Sequence, residues 1–65
     1  MRILVNGAWR ETGAADLGAA LAELGYAEAI VATALNGEFV PVGSRRAARL
    51  SEGDELEVLA PMQGG

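Results

Sequence analysis

Asn-Gly occurs twice in this chain, at 6–7 and 36–37, each time between short runs in which apolar residues alternate with others. The pair is the strongest short hairpin signal available, because a type I′ turn needs positive φ at both central residues. In the first run, "MRILV", Met1, Ile3 and Val5 share one face. A two-residue loop folds Ala8 to Thr12 back on it, setting Leu4 opposite Trp9 and Arg2 opposite Glu11 on the side away from Ile3 and Val5. A three-residue loop would shift that pairing, which leaves the direction of Trp9 open.

Between the hairpins lies "GAADLGAALAELG". Leu17, Ala20, Leu21 and Leu24 recur at three- and four-residue spacing, Asp16 stands in front as an N-cap and Gly25 follows as a left-handed stop, so the stretch reads as a helix of two to three turns. Gly18 and Ala19, expected on its outer side, give it weak intrinsic support, and so short a helix needs tertiary packing to form. The second hairpin runs "IVATALNGEFVPV", and Pro41 ends its returning strand. Ser44 is expected to cap a single turn through Arg45, Arg46 and Ala47. Leu50 then supplies an anchor, Gly53 a turn, and a last strand follows with Leu56 and Val58 inward.

Two hairpins around one helix, with a fifth strand arriving late, is the order of a β-grasp. This is an α+β domain whose mixed sheet of about five strands packs on one main helix and can seat the final strand beside the first. A ferredoxin-like arrangement wants two substantial helices, and the stretch after Pro41 has room for one short turn. The domain is expected over residues 1–60, with 61–65 as a flexible Gly-Gly tail.

The residue inventory excludes much chemistry. The 65 residues contain no Cys, no His and no Lys, so disulfides, ordinary metal ligation, Schiff bases and the usual activated nucleophiles all lack their residues. Glu52, Asp54, Glu55 and Glu57 cluster late in the chain, but acid–base work needs a cleft that separates two carboxylate pKa values, so they read as a solvated face. Arg45, Arg46 and Arg49 read as solvent-facing too, or as charges for an acidic patch on a partner. No metal site, no bound cofactor and no catalytic activity are expected. A formal net charge of -4 argues against nucleic acid or an anionic membrane as a partner. No apolar run approaches the ~20 residues of a membrane span and no signal peptide opens the chain, so the cytoplasm is the expected compartment.

What remains is the α-carboxylate of Gly65. Residues 61–65, fully extended, reach at most about 17 Å, enough to enter a deep site on another protein while the folded body stays outside. Glycines without Cβ let the backbone pass a narrow channel and let a catalyst close around the terminal carbonyl. An ionised carboxylate is a poor electrophile, so a separate ATP-dependent enzyme would have to activate it by acyl adenylation.

In order, spacing and overall length, "ILVNG", "ADLGAALAELG", "ATALNGEFVP" and "LSEGDELEVLAPMQGG" resemble the ThiS family, the ubiquitin-like sulfur carrier proteins of thiamin biosynthesis. Asp16 stands where many relatives have threonine, an equally good cap. The resemblance implies that an adenylyltransferase akin to ubiquitin-activating enzymes uses ATP to adenylate Gly65. Sulfur from cysteine, passed through a persulfide by a cysteine desulfurase or another donor, then leaves a terminal thiocarboxylate. The carrier would deliver that sulfur to thiazole synthase. Gly64 and Gly65 match the family's terminal pair; Met62 and Gln63 are assigned tail contacts only. The molybdopterin-synthase small subunit, typically longer, offers the same terminal chemistry and is the nearest alternative. A protein modifier joined to target lysines, and a plain ubiquitin-like binding module with inert terminal glycines, also stay open.

Docking on such enzymes should use folded surface as well as tail. With Leu56 and Val58 pointing at the helix, Leu59 points away, and Phe39 is expected to join it in an exposed apolar patch, with Trp9 a further candidate. Each is equally readable as an ordinary edge-of-core residue.

Overall fold

The computed structural model describes residues 1–60. Five strands and one α-helix follow in the order β1 (Arg2–Val5), β2 (Ala8–Glu11), α1 (Leu17–Glu23), β3 (Ala32–Leu35), β4 (Glu38–Val40) and β5 (Glu55–Leu59), with a 3₁₀ helix at Val42–Ala47 between β4 and β5. The sheet order is β2-β1-β5-β3-β4, so the last strand occupies the middle. It runs parallel to β1 and antiparallel to β3, the mixed sheet of a β-grasp.

Both Asn-Gly turns take the backbone their sequence calls for. Asn6 and Asn36 have φ of 49° and 51°, and Gly7 and Gly37 each have φ of 84°. The first hairpin pairs Leu4 with Trp9 and Arg2 with Glu11, the two-residue register. Trp9 therefore lies on the face away from Ile3 and Val5.

The helix begins where its cap predicts: the Asp16 side chain accepts a hydrogen bond from the Ala19 amide at 2.8 Å. It ends at Gly25, whose φ of 95° lets the chain turn away. Leu17, Ala20 and Leu21 are buried against Ile3, Val5, Leu56 and Val58, with Val31 and Leu50 closing the same core. Leu24 packs at its margin. Burying each large aliphatic side chain contributes about 1.5–3 kcal/mol, which is what holds so short a helix in place.

Three expectations are corrected around the 3₁₀ helix. Its N-cap is Pro41 with no side-chain cap bond, and Ser44 lies inside the helix, its amide donating to the Pro41 carbonyl at 2.9 Å. Proline preset the entry φ at -65°, which made a polar cap unnecessary. Gly18 is half-buried rather than on the outer side: a Cβ there would stand 3.4 Å from the Arg46 Cγ, so the absence of a side chain permits close approach of the two helices. Arg45 is half-buried too, its Nε donating to Thr33 Oγ1 at 3.1 Å and its Nη2 to the Val31 carbonyl at 2.6 Å. Its charge satisfies groups at the start of β3 instead of facing solvent.

Candidate functional site

The candidate reactive residue is Gly65, and with Gly64, Gln63 and Met62 it lies outside the described residues. What the structure does establish is how the chain arrives there. β5 is held on both flanks up to its end. On one side Thr33 pairs with Val58 and Ala32 with Leu59. On the other, β1 pairs only as far as Val5 with Leu56, and the side chain of Asn6 then takes over the role of backbone. Its Nδ2 donates to the Val58 carbonyl at 3.1 Å, and the Val58 amide donates to its Oδ1 at 2.8 Å. Asn36 does the same at the other end of β5: its Oδ1 accepts from the Glu55 amide at 2.9 Å, and its backbone amide donates to the Glu55 carbonyl at 2.7 Å. The strand that carries the terminus is thus fixed by both hairpin turns.

Of the four late carboxylates, two build local structure. Asp54 Oδ2 accepts from the Ser51 amide at 2.8 Å and its Oδ1 from Asn36 Nδ2 at 3.0 Å, while Glu52 accepts from the Arg2 amide at 3.0 Å. Glu55 and Glu57 are exposed, and strand alternation places them on the outer face of the sheet, opposite the helix.

The register specifies that outer face row by row. Leu59 stands opposite Ala32; Glu57 opposite Ala34, which stands opposite Phe39; and Glu55 opposite Leu4, which stands opposite Trp9. Phe39 is 70% exposed, Leu59 68% and Trp9 53%. On β3 the outward residues are alanines, so the surface is low between Phe39 and Leu59. Beside Leu59, a shallow apolar depression of about 320 Å³ is lined by Ile30, Val31, Ala32, Leu59 and Ala60, the last described residue before the tail. Ile30, 84% exposed, forms part of this lining; it heads the run read as the second hairpin, in alternation with Ala32 and Ala34, although β3 itself begins only at Ala32.

Trp9 does not join this patch. It sits on the opposite edge strand, four strand spacings or roughly 19 Å from β4. There the Arg2 Cζ lies 5.0 Å from its ring centroid, a cation–π contact. Glu55 and Glu57, on the central strand, run between the two apolar areas. Among the described residues no group of three or more Asp or Glu is placed to hold a metal ion, and no helix is long and apolar enough to cross a membrane.

Comparison with known proteins follows the same outline. The ThiS family profile matches residues 3–65. The crystal structure of the thiamine biosynthesis protein ThiS from Geobacter metallireducens is similar with a TM-score of 0.78 and 35% sequence identity, the match covering 100% of each chain. Among curated proteins nothing matches significantly.

Proposed function

The chain belongs to the ThiS family, and from that membership we propose that it is a sulfur carrier of thiamin biosynthesis whose working group is the C-terminal carboxylate of Gly65. The observation that supports this reading most is that the family match runs through residue 65, so the Gly64–Gly65 pair falls inside it.

The chemistry follows from what a carboxylate needs in order to accept sulfur. A carboxylate oxygen of Gly65 attacks the α-phosphorus of ATP on an adenylyltransferase, pyrophosphate leaves, and the acyl carbon becomes electrophilic. A persulfide, charged from cysteine by a desulfurase or another donor, attacks that carbon and expels AMP. Cleavage of the resulting S–S bond by a thiol frees the thiocarboxylate and leaves a disulfide behind. Thiazole synthase then takes up the sulfur. The chain's own contribution is a slim terminus that fits inside other enzymes and a folded body that docks outside them; ATP and the persulfide belong to the partners. Glycine at the last two positions leaves the acyl carbon unshielded.

Phe39, Leu59 and Ile30 form the docking face in this reading, beside the point where the chain leaves the sheet. A core cannot spare exposed groups of this size, and an apolar patch next to a reactive terminus is where an enzyme would close.

Complementation tests the pathway. The protein should restore growth of a thiamin-requiring strain that lacks its own carrier and should leave a molybdenum-cofactor-deficient strain unrescued. Deleting Gly64 and Gly65 should abolish rescue. Rescue by the truncated chain would show that the terminus carries no chemistry.

A further inference from the structure

An asparagine followed by glycine is chemically labile, because the glycine amide nitrogen can attack the side-chain amide carbon with no Cβ in its way. The chain has two such pairs, both in turns, with φ of 49° at Asn6 and 51° at Asn36. Attack turns the planar amide carbon tetrahedral, so the side chain must give up its hydrogen bonds first. The two asparagines differ in what they give up. Asn6 bonds the carbonyl and the amide of Val58, and both bonds are partly buried in the sheet. Its release orphans two backbone groups of the central strand where water has little access, the costly kind of loss. Asn36 bonds the Glu55 amide and the Asp54 carboxylate, and both bonds lie in solvent. Water takes over those partners as the Asn36 side chain swings out.

We propose that Asn36 is a spontaneous deamidation site of the folded protein, and that the bonds to β5 protect Asn6 from the same reaction. The Gly37 amide nitrogen loses its proton and attacks the Asn36 Cγ, and ammonia leaves. The five-membered succinimide that results takes up one water at either carbonyl, giving aspartate or, with the backbone rerouted through the side chain, isoaspartate. Nothing is oxidised or reduced. The product has one more negative charge, in a defined place. The Asn36 Nδ2 donates to Asp54 Oδ1 at 3.0 Å, and its replacement by a carboxylate oxygen sets two like charges against each other where a bond had been. Asp54 is held there by the Ser51 amide, which donates to its Oδ2 at 2.8 Å. Isoaspartate also lengthens the backbone of a turn built for two residues. Either product loosens the start of β5, which Asn36 latches through the Glu55 amide.

Peptide mapping by mass spectrometry after storage at mildly alkaline pH reads the proposal directly. Cleavage after arginine places the two asparagines in separate peptides, and each deamidation adds about 1 Da. The chain in urea gives the ratio of the two rates without the fold. In the folded protein Asn36 should still react, and the rate at Asn6 relative to Asn36 should fall at least about tenfold from its value in urea, as expected for buried groups left unpaired. An unchanged ratio, a faster Asn6, or a folded protein inert at both sites would overturn the proposal. The consequence has its own test. Asn36→Asp, which reproduces one product, should lower the urea midpoint, and adding Asp54→Asn, which returns a donor to the pair, should recover most of the loss. A midpoint that Asn36→Asp leaves unchanged, or that Asp54→Asn fails to restore, would overturn the charge clash at β5.

Discussion

Asn6 and Val58, 52 residues apart in sequence, hydrogen-bond to each other twice: the amide nitrogen of the asparagine side chain donates to the valine carbonyl, and the valine amide donates to the asparagine side-chain oxygen. The side chain thereby copies the donor and acceptor of a peptide unit and extends the ladder beyond the point where β1 turns into its hairpin. The residue serves the turn by tolerating positive φ and the sheet by bonding β5.

Replacing Asn6 with Gly separates these roles, since glycine keeps the turn conformation and loses both bonds. Asn6→Gly should destabilise the domain by about 1–3 kcal/mol, read as a lower urea midpoint at unchanged m. An unchanged midpoint would mean that the bonds to Val58 carry no net stability.

Arg45 makes a contrasting prediction with a neighbour in sequence. Arg45→Ala leaves the Val31 carbonyl and Thr33 hydroxyl without their donor and should cost about 1–3 kcal/mol. Arg49→Ala, at an exposed position, should stay within about 0.5 kcal/mol. Thermal unfolding of the two variants side by side checks the difference.

Glu23 gives the fold a pH dependence of known sign. Its carboxylate accepts a hydrogen bond from the Thr12 hydroxyl and a second from the Gly13 amide at 3.3 Å, and these hold its pKa below the ordinary 4.5. A carboxyl with a lowered folded-state pKa contributes stability above its unfolded pKa and loses it as pH falls through the folded value. The urea midpoint should therefore decline below about pH 4.5 more steeply for the native chain than for Thr12→Val or Glu23→Gln. Parallel curves would remove Glu23 as a contributor.

Polar replacement of the outer apolar residues should spare the fold. Phe39→Ser and Leu59→Ser remove side chains that are 70% and 68% exposed, so stability should change by no more than about 0.5–1 kcal/mol while rescue of a carrier-deficient strain weakens. A large drop in Tm would reassign them to packing.

Local chemistry made much of this molecule legible in advance. The Asn-Gly turns, the Asp16 cap, the Gly25 stop and the inward alternation of Leu56 and Val58 each depend on neighbours in sequence, and each was found where it was expected. The register of the first hairpin depended on a loop length that the sequence left undecided, and only the two-residue turn found in the structure set Trp9 outward. What depended on distant strands was not legible. The side-chain roles of Asn6 and Asn36 exist only because β5 slots between β1 and β3. Arg45 looked like one of three surface charges, because its acceptors lie 12 and 14 residues away in sequence. Ile30 heads the run read as the second hairpin and was not singled out, though its alternation with Ala32 and Ala34 placed it on the outer face; β3 begins two residues later. Trp9, Phe39 and Leu59 were grouped by hydrophobicity, and strand order then set Trp9 apart.

The most direct test of the carrier function is the intact mass of the protein after incubation with ATP, the activating enzyme, a cysteine desulfurase and cysteine. Replacing one carboxylate oxygen with sulfur predicts a gain of about 16 Da, located at Gly65 by fragmentation and absent when Gly64 and Gly65 are deleted. An unchanged mass, in an assay where an established sulfur carrier gains sulfur, would contradict the account.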